Sequence, residues 1–289
     1  MLSFGLYREA GNMARNIGLH LRLTDSLSKL LDRAIELKQS VVQCFFIVQG
    51  INKYITFTEG ELEECLKKRK KHFKELYLHA SYWVNLSGRK NSGWRTFKKE
   101  LELARTLGFT HIVIHPGSST GCKDKQEGIT CLANALNKAL SRYDDITIVI
   151  ENIAHGKMSV GGDLEDFKEL LEQIDEPDRI AFCIDTAHAY SYGYDIADKK
   201  ELAKFFDKVD DCVGAKRVAL LHLNDSVKKC GSRIDKHAIP GQGLIGKEPL
   251  EAIMNHPKLK HASIILELPV LPKDEEVAIL KEVRSWNKK

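Results

Sequence analysis

Short apolar runs rich in β-branched residues alternate along this chain with longer stretches whose apolar positions recur every three to four residues. The first kind suits a strand buried on both faces, the second a helix with one face on a core. Eight runs read as strands: Asn16–Leu23, Val41–Val48, Leu76–Ala80, His111–Pro116, Thr147–Ile153, Ile180–Asp185, Val218–Asn224 and Ser263–Leu268. Between them, Ser26–Gln39 places Leu27, Leu30, Leu31, Ala34 and Leu37 on one helical face. Asp163–Ile174 repeats the pattern with Asp163 at the N-cap position. Eight βα units in series, with no Pro- or Gly-rich linker, predict an α/β fold: one (β/α)8 TIM barrel over residues 16–289, preceded by an N-terminal extension, residues 1–15. Periodicity does not show closure, and an open doubly wound sheet satisfies the same pattern.

A barrel makes a demand that can be read off the chain: its functional groups belong at the C-terminal ends of the strands. "LYLHA" ends in His79, "IVIHPG" in His115, and "VIENI" carries Glu151. "CIDTAH" delivers Asp185 and His188, "LLHLND" delivers His222, "GSRIDKH" supplies Asp235 and His237, and "ILELP" carries Glu267. One His or Glu in an apolar strand is usually a hydrogen-bonded core residue. Five His and four carboxylates at a single barrel mouth, with no matching Arg or Lys in those strands, is a different situation. Carboxylates that close cannot all stay ionised without cations. Divalent ions supply the charge, and mixed His and carboxylate donors suit Zn²⁺ or Mn²⁺. Glu151, with two oxygens, could bridge two ions. His20, inside the first strand, reads as a partner to a ligand, and His72, His111, His155, His256 and His261 as surface or loop residues.

Composition narrows the class without naming a function. The chain has 289 residues, 43% hydrophobic and 29% charged, with a formal net charge of +4, which suits a soluble domain with a full core. No apolar run reaches membrane-span length, and "MLSFGLYREAGNMAR" is too short and polar for a signal peptide. Seven scattered cysteines without a C-x-x-C pair read as reduced thiols of an intracellular protein.

The motifs "HASYWVNL", "HPGS", "VIEN", "CIDTAHAYSYGYD", "HLNDS", "GSRIDKH", "GQGLIG" and "ILELP", in that order, resemble the endonuclease IV family of apurinic/apyrimidinic endonucleases, zinc-dependent DNA-repair enzymes built on a TIM barrel. The resemblance runs from about Asn16 to the C-terminal helix. It implies three zinc ions per chain, with manganese an alternative at one site. One ion would be held by His79, His115 and Glu151. The second would share Glu151 and add Asp185, His222 and Glu267, and the third would take His188, Asp235 and His237. The implied reaction is hydrolysis of the phosphodiester 5′ to an abasic site in duplex DNA, leaving a 3′-hydroxyl and a 5′-deoxyribose phosphate. Glu151 and Glu267 are its catalytic carboxylates, and Glu267 orients or deprotonates the attacking water.

The resemblance also implies a device for opening the duplex. Tyr82 and Trp83, just beyond His79, would fill the space left by an extruded nucleotide; the alternative is that they pack under their own loop. Trp83 is bulkier than the aliphatic residue the family places there. Arg89, Lys90, Lys123, Lys125, Arg233 and Lys236 stand on strand-end loops as candidate phosphate contacts. The loop "FIVQGINKYI" departs from the family, offering Lys53 where an Arg is usual. "KKRKK" (Lys67–Lys71) reads as a solvated helix end at the bottom of the barrel, or as a nuclear-localisation patch. The expected setting is a monomer acting on DNA in the cytoplasm, or in the nucleus of a eukaryote, with no membrane partner. Two other readings fit parts of the pattern: a metal-dependent sugar isomerase or epimerase, and a non-enzymatic protein that recognises abasic DNA.

Overall fold

The computed structural model describes residues 15–90 and 92–288. Apart from Arg15, the expected N-terminal extension lies outside the described residues. All eight expected strands form: β1 (Ile17–Leu19), β2 (Val41–Cys44), β3 (Glu75–His79), β4 (His111–Ile114), β5 (Thr147–Glu151), β6 (Ile180–Asp185), β7 (Val218–His222) and β8 (Ser263–Leu266). They pair in parallel in the order β1-β8-β7-β6-β5-β4-β3-β2. The ends of that series meet: His20 and Gln43 form a parallel bridge, and the Leu21 N–H donates to the Gln43 carbonyl at 2.8 Å. The open-sheet alternative is thereby excluded.

Helices α1 (Leu27–Glu36), α2 (Glu59–His72), α3 (Ser92–Thr106), α4 (Lys125–Leu140), α5 (Glu165–Leu171), α6 (Thr186–Tyr192), α7 (Lys199–Cys212), α8 (Lys247–Met254) and α9 (Lys273–Ser285) lie between and after the strands. Helix α1 is the expected one: Ser26 caps it by accepting from the Lys29 N–H, and Leu27, Leu30, Leu31, Ala34 and Leu37 are buried. Helix α2 starts at a capping box between Thr58 and Glu61 and ends in the basic run, ahead of β3 and away from the barrel mouth. Among the described residues, no helix is long and apolar enough to cross a membrane.

Three expectations need correction. Barrel pairing in β2 stops at Cys44, and Ile47–Val48 turns away to pair antiparallel with Lys53–Tyr54. The helix expected over Asp163–Ile174 spans only Glu165–Leu171, with Leu164 at its cap. Asp163 instead accepts from the Glu165 N–H and the Tyr194 hydroxyl and pairs with Lys208, while the Asp166 N–H closes a tight turn onto its carbonyl. His111 is not a surface residue. It opens β4 inside the barrel, stacked on Tyr77 at 4.4 Å, and burial pushes its imidazole down to about 4.

Two apolar layers result. The larger lies between sheet and helices. The smaller fills the barrel with Val41, Tyr77, Val113, Val149, Ala181, Cys183, Leu220 and Ile265. Side chains alternate along a strand, so the residue two places on from an inward one also points inward, one layer nearer the mouth.

Candidate metal centre

That two-residue step builds the site. From Val41, Tyr77, Val113, Val149, Cys183, Leu220 and Ile265 it leads to Gln43, His79, His115, Glu151, Asp185, His222 and Glu267. Six of these seven are expected metal ligands. The remaining three ligands enter from the rim: His188 from the first turn of α6, and Asp235 and His237 from the loop after β7. Each ligand is therefore carried by a strand end, or by a segment leaving one.

Glu151 sits at the centre, with no exposed surface. Its Oε2 lies 3.1 Å from His79 Nε2 and 3.3 Å from His115 Nε2. Its Oε1 lies 2.9 Å from His222 Nδ1 and 3.3 Å from His188 Nδ1. Oε2 thus faces the two imidazoles of one ligand set and Oε1 faces His222 of the other, the arrangement expected of a carboxylate shared between two cations; His188 Nδ1 donates to the Asn152 carbonyl at 2.8 Å and turns its Nε2 toward Asp235. Asp185 and Glu267 approach from the His222 side, at 3.8 and 3.6 Å from its Nδ1. Asp235 stands between His188 Nε2 and His237 Nε2, 3.2 Å from each. One donor atom from each member of the sets His79–His115–Glu151, Glu151–Asp185–His222–Glu267 and Asp185–His188–His237 lies within 4.8 Å of every other in its set.

The electrostatics ask for cations. Among the described residues, no Lys or Arg pairs with Glu151, Asp185, Asp235 or Glu267; every ion-pair partner is a histidine. Burial would push Glu151 up, but His222, His115 and His188 hold it well below the usual carboxylate range. Burial of Glu267 is likewise outweighed by His222 and His20. Burial and Asp185 act in opposite senses on His188 and His237. The carboxylates win, lifting His188 well above its ordinary value and His237 to about 9. Protons on these imidazoles thus occupy the place that metal charge would fill. His237 Nε2 is buried without a hydrogen bond, although Asp235 lies close. A lone pair in that position fits a cation between them. The donor set matches mixed N and O ligation by zinc.

A second group of residues holds the ligands. His79 donates from Nδ1 to the Ala80 carbonyl at 2.8 Å, leaving Nε2 free to ligate. Asn152 accepts from the Asp185 N–H at 2.7 Å and donates to the Asp185 carbonyl. Asn224 donates to Asp185 Oδ2 at 2.6 Å and accepts from the Glu267 N–H at 2.9 Å. Asp225, fully buried, accepts backbone N–H groups of Ser226, Gly241, Gly243, Ile245 and Gly246 at 2.8–3.2 Å. It thereby ties "GQGLIG" back to the end of β7, and the segment so closed carries Asp235 and His237. A side chain at position 243 would meet the Asp225 carboxylate at 2.4 Å, so the glycine there is required for close approach.

Above the ligands opens a cleft of about 810 Å³, lined among others by His79, His115, His188, Glu267, Tyr82 and Trp83. Tyr82 and Trp83 are 82% and 76% exposed, so they do not pack under their own loop. The cations differ in freedom. Lys236 lines the cleft and is exposed, and Lys123 is exposed on the loop after β4. Arg89 is held by a two-pronged pair with Glu127. Lys125 pairs with Asp166 at 2.5 Å. Arg233 lies over the Tyr192 ring, 3.6 Å from its centre.

The family model described as "Xylose isomerase-like TIM barrel" matches residues 25–289. The "Probable endonuclease 4" of Thermosipho africanus is 32% identical over 231 residues, which cover 77% of this chain and 82% of that one. The chain belongs to the endonuclease IV family. The "Probable endonuclease 4" of Halothermothrix orenii is 28% identical over 275 residues, 93% of this chain and 99% of its own. The crystal structure of endonuclease IV from Thermus thermophilus superposes with a TM-score of 0.81 at 29% identity, covering 94% of this chain and 98% of that one. As an endonuclease IV family member this protein is a hydrolytic nuclease of DNA repair. Its family motifs pointed to His79, His115, Glu151, Asp185, His188, His222, Asp235, His237 and Glu267, and these converge in space. Gln43, Asn152, Asn224 and Asp225 were not singled out. Asn152, Asn224 and Asp225 stand inside the family motifs, and Gln43 is the one strongly polar residue in the strand "VVQC".

Proposed function

We propose that this chain hydrolyses the phosphodiester 5′ to an abasic site in duplex DNA, leaving a 3′-hydroxyl and a 5′-deoxyribose phosphate, with three zinc ions per chain. The observation that carries this reading is a cluster of four carboxylates and five histidines, without a Lys or Arg partner among the described residues, on the floor of a cleft whose rim bears two exposed aromatic rings. The ions would be held by His79, His115 and Glu151; by Glu151, Asp185, His222 and Glu267; and by His188, Asp235 and His237. Bound ions of this kind neutralise a phosphate and its leaving oxygen and acidify water to near-neutral pH. The chain's own groups supply the rest. Glu151 holds four imidazoles in fixed orientation around its two oxygens. Glu267 has Oε1 anchored by His20 and Gln43, and it orients or accepts the proton of the attacking water from a fixed position. Burial of Glu151, Asp185 and His222 strengthens these interactions.

A duplex carrying one abasic analogue tests the reaction. The expected product is a single nick 5′ to the lesion with a ligatable 3′-hydroxyl, together with about three zinc ions per chain by elemental analysis. An uncut lesion, or a reproducible content of one ion, would overturn the reading. That second result would favour a sugar isomerase or epimerase.

Tyr82 and Trp83 would enter the stack where the abasic nucleotide leaves it. Trp83→Ala should then weaken binding to abasic duplex by a few kcal/mol at most, about the cost of unstacking one step, with zinc content unchanged. The deficit should shrink on DNA with a flexible gap beside the lesion. Equal affinity of variant and parent for the intact abasic duplex, measured by anisotropy, would remove Trp83 from the interface.

A further inference from the structure

Gln43 occupies a ligand position in the layer without being a ligand. It is fully buried, one two-residue step above the inward Val41, with its amide reaching into the ligand cluster at His222 and Glu267. Its Oε1 lies 3.0 Å from His222 Nε2. Its Nε2 donates to Glu267 Oε1 at 2.8 Å and stands 2.9 Å from His20 Nδ1. Turning the amide over would set its oxygen against the Glu267 carboxylate, so the Glu267 charge fixes which way it points.

The consequence for His222 follows from donor and acceptor counting. An amide oxygen only accepts, so the Nε2 of a neutral His222 must carry the proton. The His222 lone pair is then on Nδ1, the atom that faces Glu151, Asp185 and Glu267. The same amide occupies Glu267 Oε1, so the oxygen turned toward His222 is Oε2, which accepts only a long hydrogen bond from Asn224 Nδ2 at 3.3 Å and keeps a lone pair for a metal. Gln43 also makes the backbone bridge to His20 that closes the barrel.

We propose that Gln43 is a positioning residue of the metal centre: it selects the His222 tautomer that ligates through Nδ1, and it holds Glu267 in the orientation that turns Oε2 toward His222. The proposal rests on the zinc nuclease reading above. Two substitutions separate its parts. Gln43→Met matches the volume and removes both contacts. Gln43→Glu keeps an acceptor for His222 but sets a carboxylate against Glu267.

With ¹⁵N-histidine labelling, the zinc-loaded parent should show His222 as the Nε2–H tautomer, and Gln43→Glu should retain it. In Gln43→Met that signature should be lost, and elemental analysis should show zinc falling from about three ions toward two. Both variants should lose about 10–100-fold in kcat on abasic duplex, with KM little changed. Parental zinc content, tautomer and kcat in Gln43→Met would overturn the proposal. If Gln43→Met does not fold, parental kcat in Gln43→Glu would overturn it instead. A parent that binds no zinc or leaves the lesion uncut would sink the nuclease reading, and this proposal with it. An active parent with indifferent variants sinks this proposal alone.

Discussion

Glu151→Gln should leave the barrel folded and reduce cleavage of abasic DNA by about a thousandfold or more. The fold is expected to survive because the apolar barrel layer and the packed helices hold it, and a glutamine has nearly the same volume. The site is not expected to survive. In the parent, both Glu151 oxygens present lone pairs, each toward two imidazoles. An amide turns one of those oxygens into a donor aimed at two ring nitrogens, and it removes the negative charge that two cations would share. Charge stabilisation and activation of the attacking water therefore fail together. Single-turnover cleavage beside a circular dichroism spectrum decides the matter: a folded variant that cuts at nearly the parental rate would end the bridging role.

Stripping the metal with a chelator should abolish cleavage and change how stability depends on pH. In the metal-free protein, His79, His188, His222 and His237 are all raised above their ordinary value of 6.5, against the effect of burial, by neighbouring groups that are mainly carboxylates. A raised histidine contributes stability that is fully present below its unfolded value and is lost as pH rises through the folded one, which for His237 is about 9. Glu151, Asp235 and Glu267 are depressed, so their contribution is present above ordinary carboxylate values and is lost on acidification. The metal-free protein should therefore melt progressively lower from about pH 6.5 toward pH 9, while below pH 6.5 the lowered His20 and His111 act in the opposite sense. Zinc needs the same imidazoles unprotonated, so the gain in melting temperature on adding zinc should widen over that range. A chelated protein that melts higher at pH 8.5 than at pH 6 would contradict the sign of these shifts.

Much of this was legible in the sequence, for a reason visible in the barrel interior. Charged and imidazole groups at the ends of apolar strands stand out because burial there is costly without a partner. That made Glu151 and Glu267 conspicuous, and counting His and carboxylates without Lys or Arg pointed to metal. The two-residue step would have given more. Counting back from His115 through Val113 reaches His111 and places it inside the barrel; reading it as a surface residue ignored that step. Forward from Val41 the step reaches Gln43, which drew no notice because an uncharged amide in a strand raises no electrostatic alarm. Asp225 stands in the motif "HLNDS", but its part in closing the loop is not legible there. Its five backbone donors come from residues next to it and 16–21 positions away, and only the folded loop assembles them. The limits of α5 were missed because Asp163 found partners on other elements.

On the three-ion reading proposed above, the loop closed by Asp225 sets a difference in kinetics among the metal positions. His79, His115, Glu151, Asp185 and His222 sit on or directly after barrel strands, whose opening needs disruption of the sheet. Asp235 and His237 come from a rim segment outside the barrel sheet, held by Asp225 on its glycine-rich turn, by a two-residue antiparallel pairing of Asp225–Ser226 with His237–Ala238, and by the Gly231 and Arg233 N–H groups on the Tyr190 and Ser191 carbonyls. An ion held as proposed by His188, Asp235 and His237 should then exchange fastest with solution, leaving first under dilution and entering last when metal is scarce. If the proposed three zinc ions are all needed, a cell short of zinc would hold a population of chains loaded at two positions and waiting on the third, so repair capacity would track free metal more steeply than protein abundance.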